Sequence, residues 1–393
     1  MKNVSHDFIN CRKKVLSPVP GSNWACEMVL NPAIIKDPDS NRIHMLFRAT
    51  GSGKDIGTYN GQMPYPIYLG YGFSDDNGEA WEFDLENPAL APALEYQKGK
   101  IRIKNINGDE VVNYSNGCIE DPRFCEIDDE YYITVACRMF PPGAYWIKDD
   151  PIQCAPAWSR DDAYVSNWAV YKNYTVTVLY KVDLKKLSDR QYSEAFTYVT
   201  NLTDAKYGED RDVVFFPERL NINGASKLVM LHRPVTPDRY PFYDEKRPSI
   251  SVAVADKFED FAANRCQRYM LAVPCFEWER DRIGASAPPI KIGEKEWLLC
   301  YHGKQDDNVG YTQSFMILKE CGERLEITSR PEERLITAVE EWEMPKKFKT
   351  PCIFIDGIIK MEGELIVSYG AADEFVGIMK VDYNKLIKYL RTL

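Results

Sequence analysis

Three arginines stand at one spacing in this chain: Arg48, Arg138 and Arg233 each follow a proline (Pro32, Pro122, Pro217) by 16 residues. Between proline and arginine lies a short apolar run, a polar turn and a second apolar run, so each unit reads as a β-hairpin. If the units repeat around an axis, the three guanidinium groups converge, with His232 beside the last and His302 near a fourth unit. Converging cations need an anion or carboxylates between them. The set therefore reads either as a phosphate or carboxylate site or as three structural ion pairs. Asp121, in Glu120-Asp121-Pro122-Arg123, precedes the second proline as Asn31 precedes the first. It is open to two readings, a general acid for sugar cleavage or a turn-capping Asp before proline. Asp373 reads as a site residue or a turn residue. Glu218 reads as a catalytic carboxylate or a partner of Arg219. Loop aromatics (Trp24, Tyr65, Tyr145, Trp146, Trp158, Tyr240, Tyr243) are sugar platforms or core.

The elements that must position these residues are short strands. Two degenerate copies of the hairpin unit follow, from Pro288-Pro289-Ile290 to His302 and from Pro351-Cys352-Ile353 to Gly370. A further β-like run follows every copy, at 67–73, 174–180, 249–255, 314–318 and 375–381. Five repeats of at least three strands with little helical periodicity predict an all-β fold, a five-bladed β-propeller with long inter-strand loops. One domain spans 1–393, with blade cores near 31–73, 121–181, 216–255, 287–318 and 351–381. A loop insertion at 139–173 is rich in Trp, Tyr, Pro and Asp. A short helix is expected at 383–393.

Composition narrows the class. The 393 residues carry 49 Lys+Arg against 59 Asp+Glu, a net charge of −10 that speaks against nucleic acid as a partner. With 45% hydrophobic residues, 24 Tyr and 8 Trp, the chain can fill a large core, which excludes disorder. No apolar run is long enough to span a membrane. The first 30 residues have no apolar signal region, and eleven cysteines without a CxxC pair suit reduced thiols, so a cytoplasmic protein is expected. No metal site is indicated. Gly51-Ser52-Gly53-Lys54 lacks the residues of a phosphate-binding loop. Ser74-Asp75-Asp76-Asn77-Gly78-Glu79-Ala80-Trp81 fits the Asp-box hairpin of sialidases, a folding motif, and occurs once.

Read in order, Asn31-Pro32-Ala33, Phe47-Arg48-Ala49, Glu120-Asp121-Pro122-Arg123, Phe216-Pro217-Glu218, His232-Arg233-Pro234, Ile283-Gly284-Ala285, Tyr301-His302-Gly303 and Tyr369-Gly370-Ala371-Ala372-Asp373 resemble glycoside hydrolase family 130. The resemblance covers about 30 to 373. It implies a five-bladed propeller and an inverting phosphorylase that cleaves a β-mannoside with inorganic phosphate, giving α-mannose 1-phosphate. Asp121 would be the proton donor. Asn31 and Asp373 would hold the mannose ring, with Arg123 and Glu218 in the substrate site. Arg48, Arg211, His232 and Arg233 would bind phosphate, Arg211-Asp212 standing where the family usually has Lys-Asp. Arg138 falls where the family has an uncharged strand end. Beyond phosphate as co-substrate no cofactor is implied. The partners are an oligosaccharide and phosphate, and a homo-oligomer is compatible with the sequence. The alternative is an inverting β-mannosidase, which needs a second carboxylate to activate water, Glu218, Glu277 or Glu279 being available. A sialidase would require six blades and repeated Asp-boxes. A non-catalytic sugar-binding propeller would leave Asp121 without a role.

Overall fold

The computed structural model describes residues 7–51, 67–92, 102–112, 118–138, 175–237, 240–345, 347 and 350–393. The 139–173 insertion, Lys54, Tyr65, Tyr145, Trp146 and Trp158 lie outside these residues, as does the Arg138 side chain.

Strand β1 (Ile9–Leu16) is the outer edge of the last blade. The first blade is β2 (Met28–Lys36), β3 (Ile43–Thr50), β4 (Ile67–Ser74) and β5 (Glu82–Phe83). A separate hairpin, β6 (Arg102–Lys104) and β7 (Glu110–Val112), precedes the second. That blade is β8 (Ile119–Ile127), β9 (Glu130–Arg138), β10 (Thr175–Val182) and β11 (Phe196–Asn201). The third holds β12 (Asp210–Phe215), β13 (Leu220–Ile222), β14 (Ala225–Pro234), β15 (Ile250–Ala255) and β16 (Gln267–Ala272). The fourth holds β17 (Arg282–Ala285), β18 (Ile290–Lys291), β19 (Glu296–Lys304), β20 (Tyr311–Glu320) and β21 (Leu325–Ser329). The fifth is β22 (Ile353–Lys360), β23 (Glu364–Ala371) and β24 (Phe375–Asp382), completed by β1. All pairings between neighbouring strands of a blade are antiparallel. A helix, Tyr383–Leu390, closes the chain where one was expected.

Five apolar clusters occupy the five spaces between blades. In β19, Leu298 and Cys300 face the fifth blade, while Trp297, Leu299 and Tyr301 face the third. Period-two alternation thus buries both faces of a central strand, which is why these strands read as continuous apolar runs. The Asp-box forms as a hairpin: Ser74 Oγ donates to Asp76 Oδ1 at 2.8 Å, Ala80 N donates to Asp76 Oδ1 at 2.9 Å and Trp81 Nε1 donates to the Gly78 carbonyl at 3.1 Å. Lys13 of β1 donates to the Glu79 carbonyl at 2.7 Å, so the box latches the first blade to the fifth. Among the described residues no helix is long and apolar enough to cross a membrane, and no cysteine is in a disulfide.

The strand frame differs from the sequence reading in two blades. The third blade was expected to begin at 216 and the fourth at 287, yet their axial strands β12 and β17 come earlier. Phe216-Pro217 interrupts the pairing, so the run taken as the inner strand is the short extension β13. Proline cannot donate to the ladder, and the strand breaks there.

Candidate active site

Successive inner strands β2, β8, β12, β17 and β22 meet around the axis. The pairing of β2, β8 and β12 slips at the same place, between Leu30 and Ala33, Glu120 and Arg123, and Arg211 and Val214. In β22 it slips between Ile355 and Gly357. Asn31, Asp121, Asp212 and Asp356 sit within these slips. The first three have φ of 48°, 50° and 55°. Short polar side chains tolerate this left-handed conformation at lower cost than other non-glycine residues. The same bulge gathers the three side chains at the axis.

Asp121 is the hub. Its Oδ1 accepts from Asn31 Nδ2 at 2.8 Å and from Arg48 Nη1 at 3.0 Å. Burial works to raise its pKa, but Arg48, Arg123, the Asn31 hydrogen bond and Arg211 outweigh burial and hold it below the usual carboxylate value. Gly370 makes room for this contact, since a Cβ there would stand 2.1 Å from Asn31 Oδ1. Arg48 Nη1 also lies 3.4 Å from Glu120 Oε2, and Arg211 Nη1 lies 3.2 Å from the same oxygen. Arg211 further donates to Glu209 Oε1 at 2.8 Å and to Thr175 Oγ1 at 2.8 Å.

A second cluster backs the first. Arg233 Nε donates to Asp212 Oδ2, and His302 Nε2 is 3.1 Å from that oxygen. Burial would raise Asp212, yet Arg233, His302 and Arg123 carry it well below the carboxylate range. A Cβ on Gly284 would stand 2.2 Å from Asp212 Oδ2, so glycine is required there too. His232 Nδ1 is 2.7 Å from Asp210 Oδ2, which also accepts from Tyr240 Oη at 2.8 Å. His232 Nε2, Arg233 Nη1 and Arg48 Nε are buried without a hydrogen-bond partner. The Arg48 and Arg233 guanidinium groups thus each keep an unused N–H donor near the axis, and His232, whose Nδ1 faces Asp210, keeps Nε2 unused.

Not every candidate joins this cluster in the expected way. Arg123 is a buried axial pin: Nε donates to the Ser286 carbonyl at 2.9 Å and Nη1 to the Asp121 carbonyl at 2.9 Å. Its Nη2 lies 3.4 Å from Asp212 Oδ1 and 3.0 Å from Asp356 Oδ1. Glu218 lies six residues past Asp212 toward the far hairpin, exposed, with Oε1 2.5 Å from Lys291 Nζ. Strand pairing sets Arg48 opposite Leu30, Ala136 opposite Glu120 and Arg233 opposite Arg211, so Ala136, not Arg138, matches the other two arginines. The turn of the second blade is shorter, and equal spacing from proline does not mean equal register. Arg138 lies two residues farther on, opposite Thr175.

Asp373, with φ 55°, is raised by burial, against the Cys352 thiol and Arg48, with Asp121 pushing the same way as burial. Glu277 pairs with Arg280 at the surface. Glu279 is fully buried, held by Arg330 and by Tyr301 Oη at 2.9 Å. Trp24 is core, Tyr240 braces Asp210, and Tyr243 Oη donates toward the Arg247 and Ser249 carbonyls. Sequence reasoning missed Asp212, Asp356, Asp210 and the bridging role of Glu120. Aligning Arg211-Asp212 with Glu120-Asp121 and Leu30-Asn31 would have exposed the first. Asp356 is fully buried, and both of its oxygens lack a hydrogen-bond partner. Burial pushes its pKa up, with Asp121 and Asp212 adding to the rise and Arg123, 3.0 Å from Oδ1, working against it.

The family model described as beta-1,4-mannooligosaccharide phosphorylase matches residues 158–392. The chain belongs to glycoside hydrolase family 130. This member of family 130 is thus an enzyme acting on mannosides. It is 23% identical over 376 residues to a beta-1,2-mannobiose phosphorylase of Thermoanaerobacter sp. (strain X514), covering 95% of this chain and 96% of that protein. The structure of beta-1,2-mannobiose phosphorylase from Listeria innocua with beta-1,2-mannobiose superposes with a TM-score of 0.64 at 17% identity, covering 96% of each chain. A structure of family glycoside hydrolases that target beta-1,2 mannosidic linkages in Candida mannan superposes with a TM-score of 0.60 at 14% identity, over 96% of this chain and 95% of that one. These two likenesses carry the five-bladed fold.

Proposed function

We propose that the protein is an inverting β-mannoside phosphorylase with Asp121 as its acid. A phosphate oxygen attacks the anomeric carbon from the face opposite the leaving group. The glycosidic C–O bond breaks, and the proton of Asp121 passes to the leaving oxygen, directly or through a sugar hydroxyl. The products are α-mannose 1-phosphate and a saccharide shortened by one mannose. Phosphate is itself the nucleophile, so one acid suffices and no base is needed.

The observation that carries this reading is the grouping of Arg48 and Arg211 on Glu120 beside Asp121, with Arg233 and His232 next to them. The three arginines are the cations a dianion requires at the reacting carbon. Asn31 and Asp373 are the candidates for the mannose ring. The carboxylates that an inverting hydrolase could use as base are engaged elsewhere: Glu218 with Lys291, Glu277 with Arg280, Glu279 with Arg330. Asp212 is bound by Arg233, and Asp356 is buried against Arg123. The absence of a disulfide among the described cysteines and a sugar-phosphate product, which stays where it is made, favour a cytoplasmic enzyme.

The test is incubation with β-1,2-mannobiose, named in the full-length relative, and with β-1,4-mannobiose, each with and without phosphate. Mannose 1-phosphate appearing only with phosphate is the expected result. Asp121→Asn should then lose at least about 10²-fold in kcat. Free mannose released at the same rate without phosphate would make the enzyme a hydrolase.

A further inference from the structure

Glu120 reaches the axis from β8 one residue before Asp121, with its side chain only 3% exposed. It touches two of the proposed phosphate ligands through one atom. Oε2 lies 3.4 Å from Arg48 Nη1 and 3.2 Å from Arg211 Nη1. Strand pairing explains the geometry. Arg211 occupies in β12 the register position that Glu120 occupies in β8, and Arg48 reaches across from β3 of the preceding blade. Two partly buried guanidinium groups this close repel each other and would splay toward solvent without an anion between them. One carboxylate oxygen can hold both while each retains other N–H donors.

From this bridge we infer that Glu120 is a positioning residue that holds Arg48 and Arg211 as a preformed cation pair for the attacking phosphate. The inference rests on the phosphorylase reading and deepens it. Glu120 does not act on water or on the sugar. Arg48 Nη1 is 3.4 Å from Glu120 Oε2 and 3.0 Å from Asp121 Oδ1, so those oxygens can be no farther apart than about 6.4 Å. The Arg48 guanidinium thus stands between the two carboxylates, where an inverting acid–base pair would need to seat a water and the sugar. Two cations on one carboxylate oxygen also favour its charged form, which makes it a poor base.

The test compares wild type, Glu120→Gln and Glu120→Asp in phosphorolysis of mannobiose over a series of phosphate concentrations. Glutamine keeps the shape and removes the charge. The expected result is a KM for phosphate raised about tenfold to a hundredfold, kcat at saturating phosphate lowered less than about threefold, and an unchanged KM for mannobiose. Glu120→Asp should recover part of the phosphate affinity. As a second readout, the rise in Tm that phosphate gives the wild type should be lost in Glu120→Gln. An unchanged KM for phosphate would reduce Glu120 to a structural ion pair and overturn the inference. A collapse of kcat with KM unchanged would overturn it in favour of a direct chemical role. If Glu120→Gln does not fold, Glu120→Asp decides by the same split. Wild-type turnover without phosphate would fault the phosphorylase reading itself, an outcome distinct from either.

Discussion

At the scale of the residue, the notable feature is that the surroundings of the proposed acid favour its charged form. Arg48 and Arg123 hold Asp121 below the usual carboxylate pKa against its own burial. A general acid must carry a proton, and the cations that remove it are those an anion would engage. An oxyanion bound at Arg48 and Arg211 diverts their charge and adds its own, and both effects raise Asp121. The groups facing Asp121 are Asn31, Arg48, Arg123 and Arg211, with Asp356, Asp373 and Cys352 also within its field. Of the three carboxylates Asp121, Asp356 and Asp373, Asp121 is the one Arg48 touches directly, at 3.0 Å, so it is the main group to respond when that cation is engaged. Sulfate separates this effect from phosphate's own titration. Its binding should take up close to one proton, and its affinity should fall as pH rises from about 4 toward 7. Calorimetry in buffers of different ionisation enthalpy measures the uptake, and Asp121→Asn should abolish it. Proton release on sulfate binding would contradict the argument.

Among the elements, the same clip is built twice. Glu277-Trp278-Glu279 and Glu341-Trp342-Glu343 are single turns leading into the fourth and fifth blades. In each, the second glutamate is fully buried, takes an arginine (Arg330, Arg12) and accepts from a tyrosine (Tyr301 at 2.9 Å, Tyr369 at 2.7 Å). Trp278 and Trp342 pack on those tyrosines at 5.5 and 5.8 Å. A charge left unpaired in such a site costs about 3–5 kcal/mol. Glu279→Gln should therefore lower the Tm measurably while kcat per folded molecule stays at the wild-type value. Unchanged Tm with lost turnover would return Glu279 to the role of a water-activating base. The repeated Glu-Trp-Glu was present in the sequence, yet a carboxylate tied to a distant arginine looks the same there as a catalytic one. The five strand repeats were legible because every blade buries two apolar faces. Asn31 and Asp121 were legible because proline follows both. Asp212 was not, because valine follows it and Phe216-Pro217 offered a false match five residues later. Arg123 was legible as a motif member, but its role as an axial pin depends on partners in three other blades.

At the scale of the whole molecule, the ring is closed by strands from both ends of the chain. β1 pairs with β24 along its length, Phe8 enters the core between the fourth and fifth blades, and Leu16 enters the core between the fifth and the first. Closure also carries Arg12, whose Nη1 donates to the Thr337 carbonyl at 2.9 Å and to Glu343 Oε2 at 2.8 Å. The site depends on this closure because Asn31 in the first blade packs against Gly370 in the fifth, and Arg48 reaches Asp121 from the first blade to the second. A propeller with a loosened seam would therefore lose its acid's hydrogen bonds before it lost its blades. Arg12→Met keeps the aliphatic bulk and strands the buried Glu343, at a cost of about 3–5 kcal/mol. In a chain of this length that is a fall of roughly 4–6 °C in Tm. Removing residues 1–16 should do more, because it bares the β24 edge to pairing with other copies and strips both apolar anchors. Its expected signature is aggregation on size-exclusion chromatography together with loss of mannoside turnover. A truncated chain that stayed monodisperse and active would show that the seam is held by the Lys380–Glu79 contact to the Asp-box and the remaining first–fifth blade core alone.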